Sequence, residues 1–179
     1  MKEFINQVLS HRDNFVKVEL KYRDISQIKP SVLKALKLDS IFKLNDMYEG
    51  VSFYNNFSRK VTGVLALGVF FDINYIDWNK VNPLNYNPLI KLGNKNIEVI
   101  TFETGTFPTI PIKNKTPKII ILKRDEKNVW ICGLATTKTL NKYQNSNLLQ
   151  DSLTKNITSF NGFNYLINFN SEAELIDLI

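Results

Sequence analysis

Two apolar segments separated by a short polar one constrain the fold of this 179-residue chain more than any other feature. Residues 117–123 form a continuous apolar run, which is typical of a central β-strand. Residues 129–135 supply a second apolar run, and the polar residues 124–128 between them favour a turn. The sequence therefore predicts a β-hairpin over residues 117–135. Residues 96–103 alternate apolar and polar side chains, which predicts a half-buried strand before this hairpin.

The first 75 residues combine helical and extended patterns. Residues 2–10 place apolar side chains on one helical face, and residues 15–22 alternate in the manner of a strand with one wet face. Pro30 opens a predicted helix over residues 30–38, and a shorter helix is expected near 40–48. The strongly apolar residues 51–73 are predicted to be extended, with a buried strand or strand pair that is too short to span a bilayer.

The remaining segments carry turn and cap signals. Two Asn-Pro-Leu triplets within residues 76–93 predict an ordered segment that runs across the surface of the protein. A helix is expected over residues 147–155 and a strand over 163–169. Ser171 with Glu174 three positions later has the form of a capping box, which predicts a last helical segment through Leu178.

These elements predict an α+β fold with a mainly antiparallel sheet and short flanking helices. The C-terminal part of the sheet has the strand content to form a partly closed SH3-like barrel. Residues 1–179 are expected to form a single domain, with a sub-boundary at 80–95 as the alternative division. That boundary would separate an N-terminal α+β lobe, 1–80, from a β-rich basic lobe, 95–179.

One cysteine and one histidine exclude several classes of chemistry. Cys132 and His11 are the only residues of their types, so disulfide frameworks and structural zinc sites are excluded. Ser-His-Asp and Cys-His catalysis would both require His11. The lone thiol and a polar first 14 residues predict a cytoplasmic setting without a membrane partner. Catalysis would have to depend mainly on Lys, Arg, Thr, Ser, Tyr or carboxylate groups.

The chain is basic, and lysine supplies most of the positive charge. Lys and Arg total 23 against 17 Asp and Glu, and only four of the basic residues are Arg. Residues 104–170 hold nine basic residues and three acidic ones, which favours a positive face for nucleic acid. Lysine suits contact with phosphates better than the reading of base edges. A lysine-rich composition also follows from the codon bias of an AT-rich genome, and both explanations stay open.

Residues 96–139 resemble the core of the PemK/MazF-type toxin family. The segment contains a strand, then a loop with Gly105 and Pro108, then a short basic stretch that ends at Pro117. The apolar hairpin follows, and two consecutive threonines come directly after it. Members of that family are small SH3-like barrels that cleave RNA without a metal. The family's catalytic arginine would fall near Lys115, which is a lysine here, and the first 95 residues have no counterpart in these compact toxins.

The resemblance implies a metal-independent endoribonuclease of toxin type, with Lys115, Thr136 and Thr137 as catalytic residues. The lysine would stabilise a pentacoordinate phosphate, and the threonine hydroxyls would hydrogen-bond to it. RNA is the expected partner before DNA, and an antitoxin-like protein or a second copy of the chain could also bind. Five further residues are predicted to contact nucleic acid: Lys113, Lys118, Arg124, Lys138 and Lys142.

The sequence also fits two other functions. The first is a Mg²⁺-dependent DNA endonuclease of restriction type, which needs two carboxylates to hold Mg²⁺ and a lysine to polarise the attacking water. The residue types are offered by Glu19 and Lys21, which share one strand face, or by the acids Asp72, Asp77, Glu98 and Glu103. The second is a non-enzymatic protein that binds nucleic acid or inhibits a nucleoprotein complex through phosphate contacts and aromatic stacking. The aromatic side chains in or near polar loops are Tyr54, Phe57, Tyr86, Phe107, Tyr143 and Phe160.

Overall fold

The computed structural model describes residues 1–113, 115–145 and 156–179. Its helices are α1 (Lys2–Gln7), α2 (Tyr22–Ile25), α3 (Ile28–Ala35), α4 (Ile41–Asp46), α5 (Gly50–Phe71), α6 (Thr137–Lys142) and α7 (Glu172–Leu178). Its strands are β1 (Val16–Glu19), β2 (Leu89–Leu92), β3 (Lys95–Glu103), β4 (Thr109–Pro111), β5 (Lys118–Lys123), β6 (Asn128–Ala135), β7 (Gln144–Asn145) and β8 (Ile157–Phe160). Short 3₁₀ helices cover Leu9–Asn14, Pro83–Asn85 and Phe163–Tyr165.

The main sheet has five strands in the order β1-β6-β5-β3-β2 and curls into a half-barrel. Neighbouring strands are antiparallel except β3 and β5, which run parallel. A smaller sheet pairs β4, β8 and β7. The predicted α+β fold with a mainly antiparallel sheet is confirmed.

The predicted hairpin is confirmed as β5 and β6. The Asp125 side chain in its turn accepts hydrogen bonds from the backbone N–H groups of Lys127 and Asn128, at 2.9 and 2.8 Å. The pairing shifts register between Ile120 and Ile121, opposite Gly133, which has a φ of +133°. Glycine alone tolerates that backbone conformation without strain, so the bulge falls at the one glycine of β6.

The prediction of extended structure over residues 51–73 is wrong, because this stretch forms the 22-residue helix α5. Phe57, Val61, Val64 and Leu67 are spaced four, three and three residues apart and are buried. This spacing places them on one helical face, which packs on the sheet. The β-branched and aromatic content of the segment favours a strand, but burial of that face against the sheet outweighs local propensity. No helix in the described ranges is long and apolar enough to cross a membrane.

The prediction of a strand over residues 163–169 is also wrong. The 3₁₀ helix Phe163–Tyr165 occupies its first part, and only an isolated bridge between Ile167 and Leu134 joins the rest to the sheet. The helix expected over 147–155 lies outside the described residues. The other helices and strands predicted above are confirmed in type, namely α1, β1, α3, α4, β3 and α7.

Apolar residues form a core on each face of the main sheet. On one face α5 packs with Ile119 and Ile121 of β5, and on the other face Ile120 and Leu122 pack with Phe4 and Trp130. Alternate residues of β5 thus enter opposite cores, which accounts for its continuous apolar run. Strand β1 from the N-terminal part pairs with β6 from the C-terminal part. The sub-boundary at 80–95 stays a prediction.

Candidate nucleic-acid interface

Helix α6 begins where the hairpin ends, and Thr136 caps it. The Thr136 hydroxyl accepts a hydrogen bond from the backbone N–H of Thr139 at 3.2 Å and lies 3.0 Å from the Thr139 hydroxyl. This is the usual role of a threonine that precedes a helix. Thr137 follows in the first turn with an exposed side chain. Of the two predicted catalytic threonines, Thr136 uses its hydroxyl to cap the helix, whereas the side chain of Thr137 is exposed to solvent.

Two lysines of α6 present positive charge on the same side of the helix. Lys138 and Lys142 are four residues apart, so their side chains project from one helical face, and both are exposed. The hydroxyl of Tyr143 beside Lys142 raises the pKa of this ammonium group. Lys142 is therefore a cation at neutral pH, and both lysine side chains can reach the same polyanion.

A pair of stacked tyrosine rings continues this face beyond the end of α6. The rings of Tyr143 and Tyr165 have centroids 4.3 Å apart and are inclined by only 11°. The Lys142 Nζ lies 5.2 Å from the Tyr143 centroid and 5.8 Å from the Tyr165 centroid. A Cβ at Gly162 would lie 2.7 Å from the Tyr143 Cβ, so glycine is needed for this close approach. We call Lys138, Lys142, Tyr143 and Tyr165 the α6 surface.

The charges of the α6 surface influence the two phenol groups in opposite directions. Desolvation would raise the pKa of Tyr143, but the neighbouring Tyr165 hydroxyl and Lys142 ammonium outweigh it and lower that pKa. The pKa of Tyr165 is raised, chiefly because its hydroxyl interacts with Tyr143. The interaction between the two hydroxyls, reinforced by Lys142, thus makes Tyr143 the phenol with the lower pKa.

Lys115 is buried beneath the C-terminal end of α6. Only 6% of the residue is exposed, and its Nζ donates hydrogen bonds to the Gln144 Oε1 at 2.9 Å and to the Leu140 backbone oxygen at 3.4 Å. Desolvation lowers the pKa of this amine. In this arrangement Lys115 holds the end of α6 in place, while its amine faces protein atoms.

Three other predicted nucleic-acid contacts are widely distributed. Lys118 is 2% exposed and pairs with Glu98, with the Nζ and Oε2 atoms 2.5 Å apart. Arg124 lies at the hairpin turn, with its guanidinium carbon 4.5 Å from the centre of a Trp130 ring. Lys113 is exposed just after β4. Lys118 and Arg124 flank opposite ends of β5, so the structure does not bring them to one site.

The acids of the restriction-type alternative are mostly engaged by lysines. Glu103 pairs with Lys123 at 3.6 Å, and Asp77 pairs with Lys80 at 3.1 Å. Glu19, Lys21 and Asp72 line one open cavity of about 460 Å³. Across the part of the chain that the structure describes, no group of three or more His, Cys, Asp or Glu residues could hold a metal ion.

Sequence reasoning missed Tyr165, whose ring completes the stack. No local signal marks this residue, because its partner is 22 positions earlier in the chain and the two meet only through the fold. Comparison of the chain with protein-family models, curated proteins and solved structures found no match. The resemblance of residues 96–139 to PemK/MazF-type toxins therefore stays a prediction.

Proposed function

We propose that the chain binds single-stranded nucleic acid, RNA in preference to DNA, at the α6 surface. The observation that carries this proposal is the stack of Tyr143 and Tyr165 with the Lys142 ammonium over both rings. Aromatic rings beside lysines are the combination with which proteins hold unpaired bases and the adjoining phosphates. The preference for RNA rests on the resemblance of residues 96–139 to RNA-cleaving toxins.

The proposed contacts divide into two kinds. An unpaired base stacks on the exposed Tyr165 ring. A base that is paired within a duplex cannot stack on this ring. Lys138 and Lys142 contact the phosphates on either side. Lys115 acts indirectly by holding the C-terminal end of α6. Lysine–phosphate contacts release counterions, so the affinity will fall as the salt concentration rises.

Fluorescence anisotropy with labelled 12-nucleotide RNA, single-stranded DNA and duplex DNA tests this proposal. We expect Lys142→Ala and Tyr165→Ala to weaken RNA binding roughly fivefold or more, given about 1–3 kcal/mol for one stacked base. Lys91→Ala and Tyr48→Ala are the matched controls, because both side chains are exposed on other elements. Equal losses in the controls, or no binding at low salt, would contradict the proposal.

Metal-independent RNA cleavage is a second proposal, which the position of Thr137 favours. Its exposed hydroxyl lies in the first turn of α6, next to Lys138 in the chain. A hydroxyl there can hydrogen-bond to a phosphate that the α6 surface holds, and a nearby lysine can stabilise the charge that develops on it. Labelled RNA should be shortened by the protein in EDTA, and more slowly by Thr137→Ala.

The cleavage experiment also separates the alternatives. Intact RNA after incubation with excess protein in EDTA would refute metal-independent cleavage but leave binding at the α6 surface unaffected. DNA cleavage that requires Mg²⁺ and is lost in Glu19→Ala would favour the restriction-type alternative.

A further inference from the structure

A second cavity, which the proposed nucleic-acid site does not use, lies between α5, the α2–α3 segment and the hairpin turn. It encloses about 340 Å³, which is within the range of small-molecule sites. Residues of α5 at 54, 58 and 62 form one wall because they are four positions apart. We call this cavity the α5 pocket, and it is lined by Tyr22, Ile25, Ser26, Ile28, Lys29, Pro30, Tyr54, Asn55, Ser58, Thr62, Lys123 and Glu126.

The floor of the α5 pocket carries buried polar groups. Thr62 is 1% exposed and Ser58 is 8% exposed. Neither hydroxyl makes a side-chain hydrogen bond within the described residues, and neither is among the fully enclosed atoms there that lack a partner, so a molecule in the cavity can reach both. Both residues line the cavity, so a ligand in it can supply the hydrogen bonds that the protein does not.

The charges of the α5 pocket favour an anion. Lys123 has a side chain only 13% exposed, and its Nζ is 3.6 Å from a carboxylate oxygen of Glu103, which lies outside the pocket lining. One such contact leaves other hydrogens of the ammonium group available. Lys29 adds a second cation, and Glu126 is the single acid of the lining.

The side of the α5 pocket that the α2–α3 segment forms is aromatic and apolar. It carries Tyr22, Ile25 and Pro30, and Tyr54 adds a second aromatic ring from the α5 wall, one helical turn before Ser58. Burial is the main cause that raises the pKa of Tyr54, and the nearby Glu126 charge raises it further. The Tyr54 phenol is therefore neutral at physiological pH. Aromatic rings together with cationic and hydroxyl groups in one cavity suit a ligand that carries a planar ring and an anionic group.

We propose that the α5 pocket binds a nucleoside monophosphate. Lys123, Ser58 and Thr62 hold the phosphate, and Tyr22 and Tyr54 stack against the base. This site is separate from the α6 surface and does not depend on the proposed function.

Isothermal titration of the full chain with AMP, GMP, CMP and UMP tests this inference. At least one nucleotide should bind, and inorganic phosphate and the matching nucleoside should each bind at least tenfold more weakly. Thr62→Val keeps the side-chain shape and removes the hydroxyl, so it should weaken nucleotide binding roughly tenfold, as the loss of a hydrogen bond to a charged group does. Lys123→Gln should weaken binding further, and Lys91→Gln is the charge-matched control at an exposed position of β2.

The outcomes are distinguishable from those for the α6 surface. Thr62→Val should leave RNA binding unchanged, and Lys142→Ala should leave nucleotide binding unchanged. The absence of nucleotide binding at millimolar concentrations would overturn the inference. Equal binding of inorganic phosphate, or an unchanged affinity in a folded Thr62→Val variant, would also overturn it.

Discussion

Gly63 of α5 lies directly against the side chain of Thr101 in β3. A Cβ at position 63 would overlap the Thr101 Oγ1 atom and would lie 3.3 Å from the Val99 Cγ1. The Thr101 hydroxyl is buried and has no hydrogen-bond partner among the described residues. The absence of a side chain at Gly63 therefore sets how closely the long helix approaches the sheet.

The first prediction is that Gly63→Ala destabilises the protein in spite of the higher helix propensity of alanine. The added methyl group must displace α5 from β3, so we expect the free energy of unfolding to fall by about 1–3 kcal/mol. Urea denaturation followed by circular dichroism measures the change. Ser52→Ala on the exposed side of α5 is the control and should change stability by less than about 0.5 kcal/mol.

A second prediction concerns the coupling between the two positions. Thr101→Ala removes the atom that the new Cβ would overlap, so it should relieve part of the cost of Gly63→Ala. The double variant should therefore be more stable than the sum of the single changes indicates, by more than about 0.5 kcal/mol. Additive effects in the same denaturation experiment would contradict the contact described above.

The third prediction is that Glu98→Gln destabilises the protein because it removes the negative charge beside the buried Lys118 ammonium. We expect a loss of about 1–3 kcal/mol, since a third of the Glu98 side chain is exposed and water can partly replace its charge. Asp39→Asn breaks the exposed pair with Lys43 and should cost less than about 1 kcal/mol. Equal losses in the two variants would show that burial does not strengthen the first pair.

The fourth prediction is a loss of stability at alkaline pH that depends on Tyr86. Burial raises the pKa of Tyr86 above its ordinary value of 10.0. The Tyr86 ring packs edge-on against the Phe57 ring, with the two ring centroids 5.3 Å apart. Above pH 10 the unfolded chain ionises this phenol while the folded chain keeps it neutral. The unfolded state then binds fewer protons, so the stability that is present below pH 10 falls as the pH rises further.

Tyr86→Phe removes this phenol and should reduce the decline in stability between pH 9 and pH 11. Tyr48→Phe is the control, because Tyr48 is 89% exposed. Urea denaturation at several pH values gives the slope for each variant. An unchanged slope in Tyr86→Phe would contradict the prediction.

Local patterns predicted much of the fold but little of the candidate site. The hairpin β5–β6 follows from two apolar runs and a polar turn that are adjacent in the chain, and the caps at Thr136 and Ser171 involve residues within three positions. Helix α5 does not follow from its residue types, although Phe57, Val61, Val64 and Leu67 carry a helical spacing. Its composition favours a strand, and contact with the sheet decides the outcome.

The sequence by itself excluded disulfide frameworks and structural zinc sites, because the chain has one cysteine and one histidine and no fold changes these numbers. It also determined the class of fold, since the apolar patterns of segments such as β3, β5 and β6 select strands locally, although α5 did not follow from its composition. Only the tertiary structure decided the roles of particular side chains. Lys118 is opposite Glu98 because β3 and β5 pair in parallel register, and Tyr143 meets Tyr165 because a later segment returns to α6. Such pairs depend on distances in space, which the spacing along the chain does not specify.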